Sequence, residues 1–152
     1  MAKAIVIYGS ETGNTESVAE QIAAGLKDEN LEVTLKNVTD ADVEELPGYD
    51  LILLGSSTWG DEDKELQADM ADFYEELENL DLTNIPAAAF GCGDSDYTHF
   101  CGAVDLLEER LEQIGARLLD EGFRVDGQPD EEIFKDARVW ARQIARRFNK
   151  GI

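Results

Sequence analysis

The stretch Ala4-Ile5-Val6-Ile7-Tyr8-Gly9-Ser10-Glu11-Thr12-Gly13-Asn14-Thr15, followed by Val18, Ile22 and Leu26, decides the fold. Ala4–Tyr8 is a continuous apolar run rich in β-branched residues, as expected of a strand covered on both faces. Gly9-Ser10 ends it. Val18, Ile22 and Leu26 recur at spacing four beside Ala19 and Ala23, which predicts an amphipathic helix. A buried strand that passes through a short polar turn into a helix is the first half of a βαβ unit, and the rest of the chain repeats the alternation.

Leu31–Leu35 alternates apolar and polar, as an edge or near-edge strand does. Residues 39–46 predict a short helix before the Pro47-Gly48 break. Leu51–Leu54 reads as a second buried strand, with Leu66, Met70, Phe73 and Leu77 following at helical spacing. Ala87–Phe90 reads as a third, followed by a helix through Val104, Leu107, Leu111 and Ile114. Ala116–Leu119 and Phe123–Val125 flank the polar Asp120-Glu121-Gly122 and predict a last strand with a weak or bulged middle. Ile133, Ala137, Trp140, Ile144 and Phe148 define the final helix, with Glu131 and Glu132 in its first turn and Arg146, Arg147 and Lys150 near its end, as the macrodipole favours. No linker, repeat or low-complexity segment interrupts the pattern. The expected architecture is α/β: a doubly wound, five-stranded parallel sheet with helices on both faces, formed by residues 1–152 as a single domain.

Of the 152 residues, 43% are hydrophobic and 31% charged, enough to bury a core and unlike a disordered chain. The 13 Lys and Arg stand against 34 Asp and Glu, a formal net charge of −21. Residues 1–134 carry seven basic and 33 acidic side chains, and residues 135–152 six and one. Such a surface repels nucleic-acid phosphate and anionic lipid, so neither nucleic acid nor membrane is an expected partner. It favours basic protein surfaces, with association fastest at low salt. No signal-peptide pattern and no membrane-length apolar run is present, so a cytoplasmic location is expected. Two cysteines make no disulfide framework, and one histidine leaves a Cys/His zinc site short of ligands, so no metal centre is expected.

In a doubly wound sheet, ligands bind beyond the carboxyl ends of the strands. Three segments leave the buried strands there. Gly9–Thr15 runs into a helix N-terminus, where backbone N–H groups and the helix dipole make an anion cradle, and Ser10, Thr12, Asn14 and Thr15 add short donors. It lacks the Gly-Lys-[Ser/Thr] ending of triphosphate P-loops and the G-x-G-x-x-G of dinucleotide sites, which leaves a neutral cradle for one terminal phosphate. Gly55–Asp63 holds Trp59 among glycines and acids, outside any apolar periodicity. Gly91–Gly102 holds Tyr97 in a similar setting. Rising from one sheet edge, Trp59 and Tyr97 can flank a flat aromatic ligand, each stacked face contributing about 0.5–1.5 kcal/mol beyond burial.

Ser10-Glu11-Thr12-Gly13-Asn14-Thr15, Ser57-Thr58-Trp59-Gly60-Asp61 and Gly91-Cys92-Gly93-Asp94-Ser95-Asp96-Tyr97 with Phe100-Cys101-Gly102-Ala103 together resemble the flavodoxins. The likeness runs along essentially the whole chain, in order and at similar spacing. It is greatest to the short-chain flavodoxins of sulfate-reducing anaerobes, because the last strand lacks room for the insertion of the long-chain branch. The resemblance implies a flavodoxin-like sheet of order 2-1-3-4-5 and one non-covalently bound FMN. It implies that Ser10, Glu11, Thr12, Gly13, Asn14 and Thr15, with Ser57, hold the phosphate. Trp59 would cover the inner flavin face, with Thr58 beside it, and Tyr97 would stack on the outer one. Cys92, Gly93, Asp94, Phe100 and Cys101 would border the pyrimidine edge, with backbone groups of Asp94 and Cys101 meeting it. The Gly60-Asp61 peptide would flip on one-electron reduction, a motion that a Cβ at Gly60 would hinder.

The implied function is a low-potential one-electron carrier working on the semiquinone/hydroquinone couple, not an enzyme. Its partners would be transient, basic-surfaced oxidoreductases, cytochromes or hydrogenase-type enzymes, met by a monomer. Asp61, Glu62, Asp63, Asp94 and Asp96 crowd the two loops expected at the ring, and like charge there disfavours an anionic reduced flavin. Asp96 and His99 depart from the family's usual residues at their positions. Cys92 and Cys101 read as small buried residues rather than redox thiols. The alternative is an FMN-dependent NAD(P)H or quinone reductase on the same fold, which needs a substrate pocket over the flavin that Trp59 and Tyr97 would close. A phospho-acceptor receiver domain is set aside, since Gly9-Ser10 and Gly55-Ser56 stand where its acids are needed.

Overall fold

The computed structural model describes residues 2–9, 13–59, 65–66, 68–93 and 101–150. Strand β1 (Lys3–Gly9) leads to helix α1 (Asn14–Asp28) and strand β2 (Glu32–Asn37). Strand β3 (Leu51–Trp59), the two-residue β4 (Glu65–Leu66) and helix α2 (Ala68–Leu77) follow. Next come strand β5 (Pro86–Gly93), helix α3 (Gly102–Gln113), strands β6 (Arg117–Leu118) and β7 (Phe123–Asp126), and helix α4 (Glu131–Asn149). The strand path is β2-β1-β3-β5-β6, with β7 also on β5 and β4 on β3. Set the antiparallel β4 aside, count β6 and β7 as two halves of one strand, and the order is 2-1-3-4-5, all parallel.

Strand alternation divides the core between the two faces of the sheet. Ala4, Val6 and Tyr8 of β1 pack with Val18, Ile22 and Leu26 of α1 and Trp140, Ala141 and Ile144 of α4. Ile5 and Ile7 pack on the other side with Met70, Phe73 and Leu77 of α2 and Val104, Leu107 and Leu111 of α3. Each large side chain so buried contributes about 1.5–3 kcal/mol. Gly55 pairs in register with Phe90, and a Cβ there would lie 2.2 Å from the Phe90 ring, so glycine is what lets this ring fill the core.

Three local expectations are corrected or refined. Residues 39–46 do not form one helix: two 3₁₀ segments, Val38–Asp40 and Val43–Gly48, stand in their place. Pro47 lies inside the second and lacks the N–H an α-helix would use, while Asp42 and Glu45 cap its start reciprocally. Leu66 is not on the helix; it pairs antiparallel with Thr58, and α2 begins at Ala68. The last strand breaks across Leu119–Gly122, where Arg124 binds the Gly122 carbonyl (3.1 Å), Asp105 (2.6 Å) and Glu108 (2.9 Å). Of the expected strand Leu31–Leu35, Glu32–Leu35 lies in the edge strand β2, which runs on to Asn37, and the buried Leu31 just precedes it; Leu35 is 37% exposed. Among the described residues, no helix is long and apolar enough to cross a membrane.

Candidate functional site

The register aligns the carboxyl ends of the central strands. Gly9 pairs with Ser56, Ser56 with Gly91, Ser57 with Cys92, and Gly93 with Asp126. The chain goes from β1 to β2 on one side and later to β3 on the other, so the order reverses between β1 and β3. The crevice at such a reversal is where doubly wound sheets take ligands.

Helix α1 starts at this point. Its N-cap is Gly13, at φ 89° and ψ −6°, which as a glycine supplies no capping side chain of its own. That left-handed conformation suits glycine, and among the described residues a Cβ there would meet nothing within 4 Å. Thr15, fully buried, brings Oγ1 to 2.8 Å from Ser57 Oγ at the end of β3, spanning the reversal. Ser17 Oγ donates to the Gly13 carbonyl at 2.9 Å and fixes the turn from behind. Ser56 Oγ donates to the Ser57 carbonyl at 2.8 Å. Residues 9–18 contain no Lys or Arg, so anion binding here rests on N–H groups, hydroxyls and the helix dipole.

A second cluster sits where β5 meets α3. Cys101 is the N-cap of α3 in the left-handed region, at φ 50° and ψ 39°. Its Sγ lies 3.5 Å from the Val125 carbonyl. Gly93 is pressed against it: a Cβ at Gly93 would come 2.8 Å from the Cys101 nitrogen. Burial pushes the Cys101 thiol up to about 12. Burial likewise raises Cys92 to about 11, with the Thr15 hydroxyl pulling the other way. Thr15 thus links the first cluster to the second. Both cysteines are buried, as the sequence suggested.

Gly13, Asn14, Thr15, Ser57, Cys92, Gly93 and Cys101 are therefore at this edge, and the backbones of Thr58 and Trp59 form the end of β3. Ser10, Glu11, Thr12, Gly60, Asp61, Asp94, Tyr97 and Phe100 lie outside the described residues, as do Glu62, Asp63, Asp96 and His99. One feature escaped the sequence reading. Tyr8 Oη donates to Glu16 Oε2 at 2.6 Å, from the end of β1 to the first turn of α1. The only sequence hint was a polar-tipped residue closing an apolar strand.

A helix start without basic side chains, backed by two hydroxyls at the reversal point of a 2-1-3-4-5 sheet, defines a doubly wound protein of the mononucleotide-binding class. The Flavodoxin family model matches residues 6–140. A flavodoxin of Maridesulfovibrio salexigens is 50% identical over 133 residues, covering 87% of this chain and 91% of that one. A flavodoxin of Nitratidesulfovibrio vulgaris is 42% identical over 145 residues, covering 95% and 97%. The crystal structure of oxidised flavodoxin 2 from Bacillus cereus superposes with a TM-score of 0.90 at 43% identity, covering 95% of this chain and 99% of that one. The chain belongs to the flavodoxin family, of the short-chain kind. It is a small electron carrier that uses FMN, an electron-transfer protein rather than an enzyme. The reductase alternative is not favoured.

Proposed function

We propose that the FMN phosphate is held by residues 10–15 together with Ser57, at the turn before α1. The observation that carries this is the 2.8 Å contact between Thr15 Oγ1 and Ser57 Oγ beside the left-handed Gly13 turn. The pair needs one proton donor between them, which leaves the other hydroxyl free to donate to a phosphate oxygen. Trp59 and Tyr97 take the two ring faces, Thr58 adjoins Trp59, and Cys92, Gly93, Asp94, Phe100 and Cys101 border the pyrimidine edge. Gly60-Asp61 is the peptide that rearranges with redox state. When bound, FMN supplies the one-electron exchange. The residues exclude water from the ring, orient it and set the charge around it. The left-handed Cys101 turns the start of α3 towards this edge, and Gly93 makes room for it.

We infer further that the 152 residues act as one FMN-binding domain and a monomer in the cytoplasm. Its redox partners are transient and basic-surfaced, of the oxidoreductase, cytochrome or hydrogenase type, because a net charge of −21 steers such surfaces together. The test is a comparison of FMN with riboflavin, which lacks the phosphate. Thr15→Ala and Ser57→Ala should each weaken FMN binding to the apoprotein by about tenfold or more and leave riboflavin nearly unchanged, as loss of a hydrogen bond to a charged group predicts. Trp59→Ala and Tyr97→Ala should weaken both ligands. Equal losses of FMN and riboflavin in the hydroxyl variants would remove Thr15 and Ser57 from the phosphate site.

A further inference from the structure

Two consecutive residues in the first turn of α1 are tied to two different strands. Thr15 reaches β3 through Ser57, and Glu16 reaches β1 through the hydroxyl of Tyr8, at 2.8 and 2.6 Å. The two ties straddle the point where the strand order reverses. Tyr8 is 8% exposed and packs in the core beneath α1, so the phenol is a fixed donor. Glu16 is the acid of that first turn, three residues past Gly13.

A carboxylate at a helix N-terminus seeks the same N–H groups and dipole field that a bound phosphate uses. Left unbonded it would compete with the phosphate and repel it. Bonded to Tyr8, it is held on the β1 side of the turn, and part of its charge is taken up by the O–H dipole. Glu20 and Asp40 add negative charge near the phenol, and with burial and the Glu16 bond they keep it protonated, its pKa raised to about 12.

We propose that Tyr8 is a positioning residue for cofactor choice: its hydrogen bond parks the Glu16 carboxylate beside β1, so that the cradle accepts a phosphate and favours FMN over riboflavin. This rests on the phosphate site proposed above. The readout is the ratio of riboflavin to FMN dissociation constants, measured by flavin-fluorescence titration of the apoprotein. Tyr8→Phe should weaken FMN by about tenfold and leave riboflavin within about twofold, since a charge-assisted hydrogen bond is lost and a charge is released. Adding Glu16→Gln to Tyr8→Phe should restore FMN binding, because the released group is then neutral. Glu16→Gln alone keeps the acceptor for Tyr8 and should bind FMN at least as tightly as the unaltered protein. This variant also carries the test should Tyr8→Phe fail to fold. Equal weakening of both ligands by Tyr8→Phe, no rescue in the double variant, or a tenfold loss of FMN in Glu16→Gln would each overturn the proposal. If the unaltered protein bound FMN and riboflavin equally, the phosphate site itself would fall and this inference with it. A normal ratio left unmoved by Tyr8→Phe would sink only the role of Tyr8.

Discussion

Thr15 shows how much work one side chain does here. Its hydroxyl joins Ser57 and lies beside Cys92, so the first turn of α1, the end of β3 and the end of β5 meet at a fully buried threonine. The neighbouring thiols have a consequence for pH. Folding raises Cys92 from 9.0 to about 11 and Cys101 from 9.0 to about 12, mainly by burial. Tyr8 rises from 10.0 to about 12, first by burial and then by its bond to Glu16. The unfolded chain therefore loses these protons at lower pH than the folded one. Their contribution to stability is complete below about pH 9 and is lost progressively as pH rises towards 12. Urea unfolding across the alkaline range should show a stability that falls above pH 9, and a flat profile would contradict the burial of these groups. In the native protein near neutral pH, a disulfide reagent should leave both cysteines unmodified, and unfolding should release both.

At the scale of elements, the α1–α4 crossing is a close contact that a single residue controls. Gly25 faces α4 so closely that a Cβ would lie 2.7 Å from the Arg138 carbonyl oxygen and 2.8 Å from the Ala141 Cβ. Neither is the far end of a flexible side chain, so the helices would have to part. Gly25→Ala improves helix propensity by about 1 kcal/mol, whereas overpacking costs about 1–3 kcal/mol. A net destabilisation of about 1 kcal/mol is expected in urea unfolding, and a stabilised variant would show that the crossing yields. The same scale shows where periodicity stops being informative. The long helices were legible because four or five apolar residues recur at one spacing. Leu66 had the right spacing for α2, yet it is claimed by backbone pairing with Thr58, a contact made outside the helix window. Residues 38–48 bury Val38, Val43 and Leu46 with too few turns for a helical period to form.

For the whole molecule, the charge of −21 is the dominant long-range term. The basic residues of α4 do not form a separate basic face. Arg138 binds Gln21, Arg142 binds Asp28 at 2.9 Å, Arg146 binds Glu29, and Arg147 binds the Leu119 carbonyl at 2.9 Å and lies 3.5 Å from Asp120. They hold α4 to the middle and the end of α1 and to the break in the last strand. Exposed pairs of this kind contribute about 0–1 kcal/mol each and weaken in salt. The self-repulsion of a large net charge also weakens in salt, and it acts over the whole surface. Repulsion should win: raising ionic strength from about 10 mM to about 0.5 M, which shortens the screening length severalfold, should raise the melting temperature. A fall would mean that the α4 pairs outweigh the net charge.

What the sequence determined by itself was the parallel doubly wound sheet, the two-sided burial of its central strands, and the three loops at their carboxyl ends, Gly13, Thr15, Ser57 and Cys101 among them. These are local properties: runs, periods, and glycines and hydroxyls placed at strand ends. The tertiary structure decided what depends on the distance between residues far apart in the chain. Thr15 meets Ser57 across 42 positions, Arg142 meets Asp28 across 114, and Phe90 fits only because Gly55 lies opposite it in the register. Even Tyr8 and Glu16, eight residues apart, meet only because the chain reverses between them. No periodicity encodes such a contact. It exists because the sheet sets the strands side by side and packing brings each helix back over them.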